Sequence, residues 1–539
     1  MKLFIPILLL AAFFRFFQLS STPSGLYWDE LDTGYQSYSL LMTGKDYFGN
    51  AFPAHLRSFA DYRSSLYMYS AVPFVKIFGL SNFSIRLPAV VFSLLTMFVL
   101  FYLARRFLKL PPNHAWIPPA VWAFAPWTLI QGRIAAESQI MPVFILLGFS
   151  FFLEFIRGRK TAAMSALFFA LSLWTYGTAK LFLPLFLLLL FFSYRQKLLS
   201  HLQVRSASKF IIVFFLVCSP VLIETFTKNI SMRFGELSVF TDPTTASEVD
   251  YRRLESSLGG GTQRTLGMQP SLLEKAVYNK FTFWGSKLLR NYAMALSTDF
   301  LFQSGDPQLR HNLNLANTGQ FYLIEAMAFI LGLVYALNTK KTFLIGWLII
   351  APLSSIITRD GGNHGPRLLP LLPPLVFLIS LGVSQLLKNK FTRIAYLSAY
   401  SLSVFMAVFY LFTTYRVLSA TAFNTGFMEA AVYAKSQEGK FDQIVLDGHN
   451  ESFLMAYLVV TKYDPRVFQS SFPLPSGTIA TGVEGYRFGS TYILYPGTRD
   501  WPNIKLSGKS LILSASELSN PKKVFYNPDG SAAISVITK

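Results

Sequence analysis

Gly25-Leu26-Tyr27-Trp28-Asp29-Glu30-Leu31-Asp32 follows the first apolar run, Leu3–Leu19, and the reading of that junction decides the fold. If the run crosses a membrane, three carboxylates stand where the chain leaves it, beside two aromatic rings. Lys2 ahead of the run suits a signal peptide. No small-x-small cleavage site follows, however, and Arg15 interrupts the run, so it is expected to remain as a first span. The acids then have two readings. One is a solvated loop beside an aromatic belt. The other is a catalytic carboxylate held at the lipid headgroup level, facing a substrate that is itself partly lipid.

Working outward, ten further apolar runs are long enough, or nearly so, to cross: Leu87–Leu108, Ala115–Ile130, Ile140–Ile156, Ala162–Tyr176, Leu181–Tyr194, Phe210–Phe226, Phe321–Leu337, Phe343–Ile357, Leu368–Leu387 and Ile394–Thr413. Several fall short of the ~20 residues a spanning helix needs, so flanking aromatics are expected to complete them. The 539 residues are 52% hydrophobic and 14% charged, which fits a polytopic membrane protein and excludes an ordinary soluble domain. The net charge of +20 does not indicate nucleic acid, because of where it sits. With the N-terminus in the cytoplasm, the inner loops and Lys2 hold 16 basic residues against one acid, Glu154. That is a topology signal. The single cysteine, Cys218, lies in an apolar run and reads as a small hydrophobe, with no intrachain disulfide or cysteine metal site available to it.

This topology puts three segments outside. Residues 20–86 hold the acidic junction and Leu66–Phe78, a short piece with Pro73 and Lys76 expected as an amphipathic helix on or dipping into the membrane. Residues 227–320 hold the Gly259-Gly260-Gly261 run, read as a flexible loop, and an aromatic stretch from Tyr278 to Phe302. From Tyr415 onward, the strand-like pieces Gln443–Leu446, Tyr492–Tyr495 and Ser510–Leu513 alternate with Gly, Pro and Asn turn signals. The expected fold is an all-α polytopic bundle of about eleven transmembrane helices (residues 1–414) with a small extracytoplasmic α/β domain (415–539). No repeat, Walker loop or dinucleotide fingerprint is present in the sequence.

Ionisable residues collect on the outer side. Asp29, Glu30 and Asp32 share the first loop with Arg63. Arg133 and Glu137 are spaced i, i+4, which would place both on one helix face as a structural ion pair or as part of a site. Lys180 lies between two spans, Asp306, Arg310 and His311 lie in the second large loop, and His364 and Arg367 in a short one. Arg15, near the outer end of its span, is either functional or a partner for a loop acid. A carboxylate can deprotonate a hydroxyl nucleophile while Arg, Lys or His stabilises a departing phosphate. Transfer from a lipid phosphate to an alcohol needs both at a membrane surface. Each cation alone also reads as surface charge.

Tyr27-Trp28-Asp29-Glu30, Gly44-Lys45-Asp46, Phe78-Gly79-Leu80-Ser81 leading to Arg86-Leu87-Pro88, and Ala125-Pro126-Trp127 with Arg133 and Glu137 resemble the dolichyl-phosphate-mannose protein mannosyltransferase superfamily. The chain is more closely similar to its bacterial GT-C members, grouped with lipid A aminoarabinose transferases, over roughly its first 200 residues and more loosely beyond. The resemblance implies an inverting glycosyltransferase that moves a sugar from a polyprenyl-phosphate donor to a hydroxyl on a glycan, lipid or protein acceptor. It implies Asp29 as general base, Glu30 as a supporting group or the partner of a cation, and Glu137 as a second acid. Lys180 and Arg367 would hold the donor phosphate, with Arg63, Arg133, Arg310, His311 and His364 as further substrate-binding candidates. No cofactor is required on this reading, and a divalent cation on Asp29, Glu137 and Asp32 is its lesser variant. The implied location is the plasma (inner) membrane, with the active site outside. An oligosaccharide ligase, a transporter and a non-catalytic assembly subunit are the alternatives. One-sided clustering of the charges and the lack of a repeat disfavour transport.

Overall fold

The computed structural model describes residues 2–539 except 60, 202–203, 229, 231, 260–269, 449–450, 472–475, 481–482, 496–505, 507 and 517. Gly260 and Gly261 of the expected flexible loop therefore lie outside the described residues.

The chain is mostly helical, and each of the eleven apolar runs carries helix. Among the described residues, six helices are long and apolar enough to cross a membrane: Asn82–Arg106, Glu137–Phe155, Gly177–Ser200, Val204–Thr227, Gly365–Leu386 and Lys390–Leu418. Shorter apolar helices cover Phe4–Phe16 (α1), Ala162–Ser172, Leu323–Asn338 and Thr342–Ile356. The run Ala115–Ile130 is not one helix. It breaks at Ala125-Pro126 into Ile117–Phe124 and Pro126–Gln131, because proline disfavours helical backbone in the residue before it. Ile211, Ile212, Phe215, Leu216, Ile223 and Phe226 are exposed on one long helix, a surface that suits lipid and not water. Where two helices meet inside the bundle, small residues permit the approach. A Cβ on Gly332 would stand 1.8 Å from the Leu378 carbonyl oxygen, and one on Gly382 would stand 1.8 Å from that of Ala328.

The acidic junction opens a helix. Tyr27 is extended, and Trp28–Thr43 (α2) begins with Asp29 and Glu30 in its first turn, where the helix dipole favours negative charge. It ends at Gly44, whose φ of +70° lets its N–H reach the Leu40 carbonyl. Strands His55–Arg57 (β1) and Tyr62–Ser64 (β2) pair antiparallel, with Arg63 opposite Leu56. Leu66–Phe78 (α3) is helical as expected and packs against α2 and the Asn82–Arg106 helix. That helix starts at a Ser81–Ser84 capping box.

Among the described residues, the C-terminal sheet has seven strands. In spatial order they are Ser476–Ala480, Val483–Phe488, Thr491–Leu494, Gln443–Asp447, Ser510–Ser514, Ala532–Thr538 and Lys523–Tyr526. Gln443–Asp447 runs parallel to both of its neighbours, and the outer pairs are antiparallel. Helices Ser452–Thr461 and Pro465–Ser470 lay this unit on α2. Tyr35 donates to the Tyr463 carbonyl at 3.1 Å, and the Gln469 amide donates to Ser39, Thr43 and the Asp46 carbonyl, each at 2.9 Å. The helix that carries Asp29 and Asp32 is thus clamped between the bundle and the sheet.

Candidate active site

Three carboxylates converge on the buried Arg63 guanidinium. Nη1 lies 3.3 Å from Asp29 Oδ1 and 3.3 Å from Asp32 Oδ2, while Nε donates to Glu137 Oε1 in a short hydrogen bond. Three elements supply the four groups: α2 gives Asp29 and Asp32, the β1–β2 hairpin gives Arg63, and the start of the Glu137–Phe155 helix gives Glu137. The hairpin also supplies the Ser64 N–H, which donates to Glu137 Oε2 at 2.9 Å. Tyr47 donates to Asp32 Oδ1 at 2.7 Å. Burial pushes the Asp32 carboxyl up to about 6 despite Arg63 and Tyr47. Arg63 is raised as well: burial alone would lower it, and Asp29, Glu137 and Asp32 outweigh that and hold it fully charged. The cation among the acids considered for metal binding is this guanidinium. The Asp29 side chain is 39% exposed, against 0% for Asp32 and 8% for Glu137. Asp29 is the carboxylate of the three that a substrate can reach.

Two cationic positions border this cluster. Tyr176, half-buried, hydrogen-bonds Arg367 and lies within electrostatic reach of Glu137 and Asp29. Arg367 also donates to Thr358 Oγ1 at 3.0 Å and pairs closely with Asp360. Lys180, within electrostatic reach of Glu137, donates from Nζ to His55 Nε2 at 2.7 Å. Burial holds His55 below its ordinary value, which keeps Nε2 free to accept. The His55 backbone N–H donates to Glu224 at 2.7 Å, and Glu224 pairs with Lys228 at 2.7 Å. Arg310 lies over the Tyr27 ring at 5.8 Å and donates to Gln308 at 2.7 Å. His311 pairs with Asp306 at 2.8 Å and stacks near His364, their ring centroids 4.9 Å apart. Burial beside Arg367 pushes His364 down to about 3.

Glu30 stands elsewhere. Its carboxylate takes two hydrogen bonds from Arg86, from Nε and Nη2, both at 2.8 Å and both residues fully buried. It also accepts from the Ala135 N–H at 2.8 Å. Arg86 spends its other donors on the carbonyls of Leu19, Pro23 and Gly25. The cation that Glu30 pairs with is therefore Arg86.

Two expectations are corrected. Arg133 and Glu137 do not share a helix face, because helix stops at Gln131 and resumes only at Glu137. Arg133 instead points back to the end of α1 and donates to the carbonyls of Phe14, Arg15, Phe17 and Thr22. There it satisfies C-terminal carbonyls that a helix leaves unpaired. Arg15 pairs with no acid among the described residues. It donates to Ser93 Oγ at 2.9 Å and to the Ala123 carbonyl at 3.1 Å. Tyr47, His55, Arg86, Tyr176 and Glu224 were not singled out as site residues from sequence. Tyr47 and Arg86 reach acids of the first loop, Tyr176 and His55 reach the bordering cations, and Glu224 holds His55, contacts that sequence spacing does not reveal.

Residues 65–223 match the sequence model of the family described as dolichyl-phosphate-mannose-protein mannosyltransferase. No curated protein sequence matches the chain. Among solved structures, ArnT from Cupriavidus metallidurans bound to undecaprenyl phosphate is 13% identical, with a TM-score of 0.49 over 99% of this chain and 97% of that one. The archaeal oligosaccharyltransferase AglB from Archaeoglobus fulgidus, in complex with an inhibitory peptide and a dolichol-phosphate, is 12% identical. Its TM-score is 0.45, over 85% of this chain and 63% of that one. The superfamily resemblance carried by the motifs of the first 200 residues is thus matched by an independent family model, which spans the β1–β2 hairpin's exit, Arg86, Glu137 and Lys180.

Proposed function

We propose that this chain is an integral-membrane glycosyltransferase that moves a sugar from a polyprenyl-phosphate donor to a hydroxyl acceptor in a single inverting displacement. The observation that carries the reading is the accessible Asp29 carboxylate, anchored by Arg63 at the start of α2 and bordered by cations. Asp29 takes the acceptor's O–H proton, the acceptor oxygen bonds to the anomeric carbon, and the bond from that carbon to the phosphate oxygen breaks. The polyprenyl phosphate leaves with the electron pair, and Lys180 and Arg367 offset its charge. The match of residues 65–223 to a family described by a dolichyl-phosphate-mannose donor supports the donor class. On this reading the site faces the extracytoplasmic side of the plasma membrane, an orientation that the basic inner loops support. On this reading the bundle (1–414) performs transfer, and the C-terminal unit (415–539), which rests on α2, meets the acceptor.

The test is a transfer assay in membranes with labelled polyprenyl-phosphate sugars, comparing wild type with Asp29→Asn. The expected result is label on a hydroxyl-bearing acceptor in the wild type, and ~10²–10⁴-fold slower transfer in a variant that still binds donor. Full transfer by Asp29→Asn would remove the base assignment. Failure of the wild type even to bind donor would remove the enzymatic reading.

A further inference from the structure

Asp306 and His311 lie in one outer loop and His364 in another, far along the chain. One oxygen of Asp306 and one ring nitrogen of each histidine nevertheless stand within 4.8 Å of one another. Asp306 Oδ2 lies 2.8 Å from His311 Nδ1 and accepts from the Gly365 N–H at 2.7 Å. The surroundings contain polar atoms without partners. His364 Nδ1, Trp127 Nε1 and both amide atoms of Gln320 are shielded from solvent and make no hydrogen bond. Trp127 and Gln320 are fully buried. They converge on the same spot: a Cβ built on Gly365 would stand 3.3 Å from Asp306 Oδ2, 3.4 Å from Trp127 Nε1 and 3.6 Å from Gln320 Nε2. A buried polar group without a partner is costly, and several around one carboxylate and two imidazoles point to something bound there.

We propose that Asp306, His311 and His364 bind a divalent transition-metal ion of the zinc class. Two imidazoles and one carboxylate form a donor set that suits zinc and leaves a fourth position open. Magnesium and calcium, which take oxygen ligands, suit it poorly. Tetrahedral zinc bonds of ~2.0–2.2 Å set ligand atoms roughly 3.4 Å apart, so binding would spread the 2.8 Å Asp306–His311 pair and draw in any ligand atoms standing farther apart, by side-chain rotation. The ion would pin the Asp306–Asn312 loop to the Arg359–Arg367 loop. It would fix Arg310, adjacent to His311, and Arg367, three residues beyond His364. The metal site itself does not depend on the transferase reading. Its effect on donor binding through Arg367 does.

The experiment uses full-length, untagged protein in detergent, stripped with chelator and equilibrated with Zn²⁺. Metal content is measured by mass spectrometry for wild type, His311→Ala and His364→Ala. A Co²⁺ titration of the wild type, read by its visible d–d absorption, needs no variant. The expected result is about one zinc per chain in the wild type, its loss in both variants, and a tetrahedral cobalt spectrum that zinc abolishes. A zinc-dependent rise in Tm confined to the wild type would support the same site. Equal zinc in wild type and variants, or a wild type that binds neither ion, would overturn the proposal. Both readouts stand whether or not sugar transfer is ever detected.

Discussion

Two arginine–carboxylate arrangements sit within a few ångströms of the same helix start, and they differ in balance. Glu30 and Arg86 form a closed unit, with one carboxylate facing one guanidinium through two 2.8 Å bonds, neither exposed, and the remaining donors on carbonyls. Arg63 faces three carboxylates, one of which is partly exposed. The first arrangement is saturated and has nothing left to offer a substrate. The second carries excess negative charge, contains an Asp32 that burial pushes up, and leaves Asp29 at a surface. Adjacent acids in Trp28-Asp29-Glu30 are therefore placed differently: Glu30 is closed into the architecture, and Asp29 stands open where the proposed chemistry needs it.

The largest effect should come from breaking the closed pair. Glu30→Ala leaves Arg86 charged and buried, an outcome that costs ~3–5 kcal/mol. The expected phenotype is a much lower Tm and poor recovery of folded protein, measured by fluorescence-detected size exclusion after heating. Asp29→Asn should leave that measurement almost unchanged, since its partly exposed side chain keeps a polar group beside Arg63. Equal destabilisation by the two variants would erase the distinction between the arrangements.

A smaller effect tests the cationic border. Arg367→Ala and Lys180→Ala should each weaken binding of the polyprenyl-phosphate donor by about tenfold, equivalent to ~1.4 kcal/mol. The maximal rate should change less than in Asp29→Asn. Isothermal titration of donor into purified protein would read this directly. Unchanged donor affinity in both variants would mean that the phosphate sits elsewhere.

The comparison also explains what the sequence could reveal. Each of the eleven apolar runs that hydropathy picks out carries helix, because a bilayer leaves backbone polar groups no partner but one another. It missed the break at Ala125-Pro126 because both halves are equally apolar. Asp29 was visible as an acid at a membrane exit. Glu30's partner was not identified, because Arg86 lies in another helix and only folding brings the two together. The Arg133–Glu137 spacing misled for a related reason. An i, i+4 argument assumes a continuous helix, and here the backbone from Gly132 to Ala136 is irregular, which frees Arg133 to cap α1. The three acids around Arg63 could be grouped by compartment but not by contact, since the β1–β2 hairpin that delivers Arg63 is only three residues per strand.

The smallest predicted effect is in pH and tests whether the open cluster works as a unit. Burial raises Asp32 from its ordinary value to about 6, so the folded protein holds that proton more tightly than the unfolded chain. The sign is opposite to that of an ordinary paired carboxylate: this group stabilises the fold as pH falls from about 6 toward about 4 and ceases to do so above about 6. Activity should run the other way. Once Asp32 is neutral, Arg63 is drawn to Asp29 and Glu137 alone and holds the Asp29 carboxylate more tightly, so transfer slows as pH drops through about 6. Asp32→Asn imposes that state at every pH. Its transfer rate should be several-fold below wild type above pH 7 and should converge with wild type near pH 5. Tyr47→Phe removes the hydrogen bond that favours ionised Asp32, so its acidic limb should move to higher pH. A wild type-to-Asp32→Asn ratio that stays constant across this range would show that Asp29 works without its buried neighbour.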